Sequence, residues 1–394
     1  MPNNNYLRNI DISKQFNISK PTVTRWFELA KEGKNNLQLE FFNKILRISK
    51  NEHNELELAR LSKNAIQYKH TSLKKVTVKN SFFGLFEYEE QIEIINNLRY
   101  DKMIKEKYFY KKAELWDNFY YTDNSTFKKV VAELKNDLIS NVEFYIDSKN
   151  INIVDIGIGN SMPAIGIIKD LQKHKTIDKY IGIDISPQMI AIAKDNITKN
   201  FPNLNTTFNQ SDIETNILAK YFTEEIGISE DNPSLIMLTG GTICNMEDRD
   251  LVYKHIASPL KKSDLFVLHF TLLSEKTKND INYMKNDEFI YDGGWPLELM
   301  GVDIRECEVM VEYNSKGYKD QYYILDKDYN ITIKHKKIDI IIELLKGEKI
   351  SVWRHYPFTI ETFLQETKVA GLNVKSIKVD RSGKYAMAIC KRAS

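Results

Sequence analysis

Two acids and two glycines in one stretch are residue types that can bind a nucleoside. In INIVDIGIGNSMPAIGIIKDLQKHKTIDKYIGIDIS, residues 151–186, Asp155 precedes Gly157 and Gly159 at alternate positions, and Asp184 closes a second apolar run. Glycine lets the backbone pass close to a ligand, and a carboxylate at a strand tip can accept hydrogen bonds from two ribose hydroxyls. Further along, Asp212 ends another short run, and Thr239-Gly240-Gly241-Thr242-Ile243-Cys244-Asn245-Met246 breaks a fourth. Asn245, His269, His355, Tyr356, Tyr121 and Trp295 are candidates to hold or orient a small polar substrate, though each histidine also has a purely structural reading. Cys244, Cys307 and Cys390 are scattered with no CxxC and no metal-ligand spacing, so reduced thiols and no metal site are expected.

These side chains need elements to carry them. Residues 153–156 read as a strand that breaks into the glycine turn. A helix opens at Ser161, with Pro163 in its first turn and Ala164, Ile165, Ile167, Ile168 and Leu171 as its apolar positions. Residues 180–183 make the next strand, completing a βαβ unit with an acid at its tip. A helix over 187–200 and strands over 205–212, 234–238 and 264–272 continue the pattern, the last holding His269. Near the end, Thr359 caps a helix over 360–370 that stops at Gly371, and residues 373–379 and 385–391 form an antiparallel pair. The fold class is therefore α/β, a seven-stranded doubly wound sheet. In such sheets ligands bind at the carboxyl edge of the strands, where Asp184, Asp212 and the turn at 239–246 all fall.

Between the fifth strand and the final pair, residues 273–350 form an insert expected to bind the substrate and act as a lid over the site. CEVMVEY and QYYILD predict a hairpin or small sheet, and residues 338–345 read as a helix. Aromatic-rich, mostly helical sequence over 76–150 leads into the sheet, which takes residues 151–272 and 351–394.

Composition adds an asymmetry. Net charge is +2 over 394 residues, yet residues 1–80 hold fifteen Lys/Arg against seven Asp/Glu. Within residues 1–75, NIDISKQFNISKPTVTRWFELAKEGK (9–34) predicts two short helices joined by a tight turn, a helix-turn-helix-like all-α domain. Lys20, Thr22, Thr24 and Arg25 would face out, residue types suited to phosphate and base contacts. DNA contact, protein docking and homodimerisation through residues 1–70 all remain open from this pattern. No apolar run approaches the ~20 residues of a membrane span, and the N-terminus has no apolar signal region, so a cytoplasmic protein is expected.

The D-x-G-x-G turn with an acid ending the next strand resembles class I S-adenosylmethionine-dependent methyltransferases, whose fold is Rossmann-like. Met162 stands where dinucleotide-binding enzymes need a third glycine, which disfavours a pyrophosphate ligand. The turn at 239–246 is not the (D/N/S)-P-P-(Y/F) turn of enzymes that methylate base amines, and no Pro-Cys nucleophile is present. GGTICN is similar to the G-S-T-I-G-N turn of the histidine-specific Nα-methyltransferase family. Gly159-Asn160-Ser161 resembles that family's G-N-S-T, and Tyr180, Asp184, Ile185 and Ser186 match its Y-x-P-x-D-I-S. The resemblance covers roughly residues 150–250, with Cys244 in place of a family glycine and no N-L-N substrate signature.

The resemblance implies S-adenosyl-L-methionine as cofactor, bound by Asp155, Gly157, Gly159, Asp184, Asp212 and Gly240. It implies Asn245, His269 and Tyr121 as catalytic candidates, and Asn245, His355, Tyr356 and Trp295 on the substrate side. The expected acceptor is an amine or hydroxyl of a small amino-acid-like molecule or a peptide. Two other readings stay open: a DNA-binding regulator with a methyltransferase-like sensor domain, and an RNA methyltransferase. An intact glycine turn and Asp184 favour the enzyme.

Overall fold

The computed structural model describes residues 74–121, 126–216, 232–274, 293–314, 317–335 and 338–393. The chain divides after Ser72, and the helix-turn-helix pattern at 9–34 lies outside the described residues, together with the DNA or protein contact expected there. No helix among the described residues is long and apolar enough to cross a membrane.

Lys74–Thr77, a polar stretch that reads as a boundary, forms strand β1. Helices α1 (Asn80–Leu85) and α2 (Tyr88–Asn96) follow, then a π turn at Asn97–Asp101 and a 3-10 segment at Glu106–Lys111. Next come α3 (Ala113–Tyr121) and the 20-residue α4 (Thr126–Tyr145). Val130, Leu134, Leu138 and Val142 recur every four residues along α4 and are all buried, the stripe of a helix laid on a sheet.

The sheet follows. β2 (Asn150–Ile156), α5 (Met162–Leu171), β3 (Thr176–Asp184), α6 (Pro187–Asn200) and β4 (Thr206–Gln210) run in sequence. Then come β5 (Ser234–Leu238), a 3-10 turn at Thr242–Asn245, α7 (Arg249–Ala257) and β6 (Leu265–Thr271). β2, β3, β5 and β6 are Ile-, Val- and Leu-rich and buried on both faces, as parallel strands covered by helices must be. Strands β12 (Leu372–Val379) and β13 (Tyr385–Arg392) close the sheet. The order is β12-β13-β6-β5-β2-β3-β4, parallel except at β13, which is antiparallel to both neighbours. From β2 the chain builds outward through β3 and β4, then returns to β5 on the other side. The C-terminal ends of β2 and β5 therefore flank the switch point, where the glycine turn and the 239–246 turn meet. One sheet face packs on α4, α5 and α6, the other on α7 and the later helix at Ile360–Val369.

Two small sheets make a second body. The short α8 (Trp295–Leu299) precedes β7 (Glu308–Tyr313), β8 (Lys319–Ile324), β9 (Tyr329–His335), β10 (Ile338–Leu344) and β11 (Lys349–His355). They pair as β1-β9-β10 and β11-β8-β7. The helix expected over 338–345 is strand β10. Its isoleucines are β-branched, and Ile342 and Leu344 are buried while Ile341 is half exposed, a period of two. β11 pairs with β8, so the strand leading back to the large sheet belongs to this second body. Phe82, Phe86, Leu98 and Tyr108 of the lead-in share one core with Trp295, Tyr323, Ile331 and Val352. The chain rejoins the large sheet through α9 (Ile360–Val369), where Thr359 makes a reciprocal capping box with Thr362.

Candidate active site

The glycine turn is built by backbone geometry. Gly157 and Gly159 have φ of +64° and +50°, in the left-handed region. The Gly157 and Ile158 N–H groups both donate to the Ile183 carbonyl, at 2.8 and 3.2 Å. A Cβ on Gly157 would lie 3.0 Å from the Thr242 side chain, so the two turns at the switch point touch.

Asp184 accepts the Gly159 N–H on one oxygen (3.0 Å) and the Ser186 N–H on the other (2.9 Å). Burial raises its pKa to about 6, an effect those backbone donors partly offset. The Ile185 backbone is a further donor to this carboxylate, and the remaining lone-pair capacity faces outward donors. Asp155 is buried beside it, accepting the Tyr180 hydroxyl on Oδ2 at 2.8 Å, while its Oδ1 has no partner among the described residues. Burial, with the Asp184 charge adding to it, lifts Asp155 to about 7. A cleft of ≈ 300 Å³ is lined by Ile185, Ser186, Gln210 and Asp212 on one side and by Lys107 and Tyr110 on the other.

Across the switch point Asn245 ends the 3-10 turn. Its Oδ1 accepts His355 Nδ1–H at 2.9 Å and the Trp353 indole N–H at 3.4 Å, and its Nδ2 donates to the Tyr110 hydroxyl at 3.2 Å. An indole can only donate, which identifies the atom facing it as the oxygen. His355 therefore carries its proton on Nδ1, and its Nε2 accepts the Thr271 hydroxyl at 3.0 Å. Burial, with Lys319 and Arg249 nearby, holds His355 far below its usual pKa and neutral. β11 reaches this site through an irregularity in its pairing with β8 between Ser351 and Trp353, and the period of two puts Trp353 and His355 on one face.

Cys244, at the family glycine position, is structural: its Sγ accepts the Thr271 N–H at 3.2 Å and its carbonyl the Tyr356 N–H at 2.6 Å. Both bonds tie the turn to β6 and to the end of β11.

The structure thus brings Asp155, Gly157, Gly159, Asp184 and Asp212 together on one side, and Asn245, His355 and Tyr356 on the other. Gly240 lies between them with φ +79° and open space where a side chain would be. Three candidates stand apart. His269 is buried in β6 opposite Met387, and neither ring nitrogen has a partner among the described residues. Trp295 lies within the second body's core, stacked on Phe86 at 5.7 Å. Tyr121, at the end of α3, is 53% exposed and meets Tyr120 edge-on. Sequence reasoning missed Tyr110, Thr271 and Trp353 as site residues. Trp353 had a signal, since it shares a strand face with His355.

The residues fit S-adenosylmethionine. Its ammonium group and ribose hydroxyls are donors, and this site presents a buried carboxylate oxygen without a donor and a second carboxylate with spare lone pairs. Sheet order, glycine turn and strand-tip acid together define a class I methyltransferase. The family model described as histidine-specific methyltransferase, SAM-dependent, matches residues 90–392. The chain belongs to that family, and so to the S-adenosylmethionine-dependent methyltransferases. It is also 32% identical over 91 residues to a putative protein N5-glutamine methyltransferase of Methanocaldococcus jannaschii, spanning 23% of this chain and 43% of that relative's length. Among solved structures, a S-adenosylmethionine-dependent methyltransferase from Clostridium acetobutylicum is similar at TM-score 0.42 and 11% identity, over 73% of this chain and 99% of that one. The glycopeptide N-methyltransferase MtfA with sinefungin is similar at TM-score 0.36 and 10% identity, over 77% and 98%.

Proposed function

We propose that the protein transfers the methyl group of S-adenosylmethionine to an amine of a small, amino-acid-like acceptor held at Asn245. The observation that carries the reading is the orientation of the Asn245 carboxamide. Its oxygen is taken by His355 and Trp353 and one of its N–H groups by Tyr110, which would leave the second N–H for the ligand. A group met by that N–H would be a hydrogen-bond acceptor, and a carboxylate is the strong one that an amino acid has and a simple amine lacks.

When bound, the cofactor supplies an electrophilic methyl on a sulfonium. Asp184 would hold its ribose hydroxyls, Asp212 and Ile185 would flank the base, and Asp155 with the glycine turn would face the amino-acid end. The rest is positioning. Thr242 against Gly157 brings the acceptor turn up to the cofactor turn, which favours an in-line approach of the amine. Trp116 and Trp353, 6.1 Å apart and edge to face, form an apolar wall that keeps water from the acceptor. His355 has both nitrogens engaged and is neutral, so it orients Asn245 and takes no proton. An amine acceptor then needs to arrive unprotonated, and turnover should rise with pH up to the acceptor's own pKa.

The test is S-adenosylhomocysteine formation with a panel of free amino acids, beginning with histidine, the acceptor in the family's description. Asn245→Ala should raise the acceptor KM at least about tenfold while leaving cofactor affinity near wild type. Equal loss of both, or preference for amines lacking a carboxylate, would overturn the reading.

A further inference from the structure

The 3-10 segment Glu106–Lys111, with α3 behind it, is tied to both halves of the site. The Ser186 hydroxyl donates to the Tyr110 carbonyl at 2.8 Å, and the Ser186 N–H is one of the backbone donors that hold Asp184. The Tyr110 hydroxyl in turn accepts Asn245 Nδ2–H at 3.2 Å. Behind it, Asp117 of α3 accepts Asn160 Nδ2–H at 2.9 Å, next to Gly159. The Tyr110 ring leans on Trp116 at 5.2 Å, and Trp116 meets Trp353, which donates to Asn245. Tyr110 also lines the cleft that runs from Ile185 and Asp212.

We infer that Tyr110 is a positioning residue that couples the cofactor half-site to the acceptor half-site, through Ser186 at its carbonyl and Asn245 at its hydroxyl. A ligand that fixes Asp184 also fixes the adjoining Ser186, and with it the Tyr110 backbone. The segment is also held by its own backbone bonds, Tyr108 N–H to the Lys105 carbonyl and Lys112 N–H to the Phe109 carbonyl, so fixing the Tyr110 carbonyl narrows where the phenol can lie. The phenol then holds the Asn245 carboxamide in the orientation already imposed by His355 and Trp353. Coupling between sites is reciprocal, so an acceptor bound at Asn245 strengthens cofactor binding by the same factor. The cofactor's arrival therefore completes the acceptor site, and a bound acceptor firms the cofactor site in return.

The inference rests on the proposed acceptor role of the 239–246 turn, whose own test is turnover by Asn245→Ala. The experiment here needs no acceptor and reads the backbone, so the two can fail separately. Amide hydrogen exchange is followed with and without saturating S-adenosylhomocysteine. The reporters are the Cys244, Met246 and Tyr356 amides, which are bonded to Gly241, Ile243 and Cys244 carbonyls. In wild type, exchange at these amides should slow by about tenfold on adding the ligand, within the 5–150-fold span of ordinary site coupling.

Two variants cut the link at its two ends. Ser186 also caps α6 by accepting the Met189 N–H at 3.2 Å, so Ser186→Ala would confuse capping with coupling. Ser186→Asp keeps a strong cap but has no proton for the Tyr110 carbonyl. Tyr110→Phe keeps the ring and removes the hydroxyl. Each should retain ligand-induced protection around Gly157–Gly159 and lose most of it at Cys244, Met246 and Tyr356. Wild-type protection confined to the cofactor turn would overturn the inference. So would protection of the acceptor turn that survives in both variants.

Discussion

Asp184→Asn separates the carboxylate's role in binding from its role in the fold. At pH 8 the wild-type group is ionised, since burial places its pKa at about 6. Its oxygens already accept Gly159 and Ser186 N–H groups at 3.0 and 2.9 Å, with Ile185 as a further backbone donor, and the ribose hydroxyls would take the lone-pair capacity that remains. Asparagine keeps one such oxygen. Its NH2 must then face a backbone N–H, donor against donor, and it offers the ribose a donor where an acceptor stood. One charge-assisted hydrogen bond is lost and the other weakened. At about 1.5–3 kcal/mol for a bond to a charged group, the cost is about 2–3 kcal/mol, or about 30–150-fold in Kd. Calorimetric titration with S-adenosylhomocysteine at pH 8 measures it, with a thermal melt to show that the variant is folded. Wild-type affinity should also decline as pH falls through about 6, because the protonated acid accepts more weakly, and the variant should lack that step. In the ligand-free protein the sign is opposite. The folded state holds this proton more tightly than the unfolded chain, whose value is 3.8, so this residue's contribution to stability falls as pH rises from there to about 6. A variant binding within about threefold of wild type at pH 8 would refute the role assigned to Asp184.

Gly157→Ala should lower stability by about 1–2 kcal/mol for its left-handed backbone, and weaken cofactor binding further because the new Cβ meets Thr242 at 3.0 Å; melts and titrations that match wild type would contradict the turn geometry. His269 sits at a folded pKa of about 4, below its unfolded 6.5, so the stability it allows is complete above 6.5 and lost as pH falls toward 4. That loss is worth about 3 kcal/mol, and His269→Leu, which removes two unpartnered nitrogens, should abolish it and leave turnover intact in denaturant titrations and assays across pH. Deleting residues 1–72 should leave S-adenosylhomocysteine affinity unchanged, because every described strand and core begins after that point; a folded but non-binding product would show that the N-terminal unit takes part in the site.

What the sequence determined by itself is the part that depends on near neighbours. A strand, a left-handed glycine turn, a helix opening at Ser161 and an acid at the next strand tip lie within 34 positions of one another. Their chemistry is written in local backbone preference, and Asp155, Gly157, Gly159 and Asp184 could be named with their partners implied. The Thr359 cap and the final antiparallel pair are local in the same way. Residues 338–345 show where this stops. An isoleucine run suits a helix or a strand equally, and only pairing with β9 and burial of alternate side chains in the second core decided for β10. The acceptor side lies beyond local reading altogether. Asn245 stood out as a residue type, yet its hydrogen-bond partners Tyr110, Trp353 and His355 are 135, 108 and 110 positions away. Tyr110 reads in sequence as one more aromatic in a tract full of them, and Trp295, an equal candidate, turned out to be core. Side chains of one type become wall, anchor or packing according to which elements converge on them. That convergence follows from strand order and from the joining of the lead-in to the insert. Only the tertiary structure decides it, because hydrophobic burial rewards area covered and carries no instruction about which distant polar groups will meet at its edge.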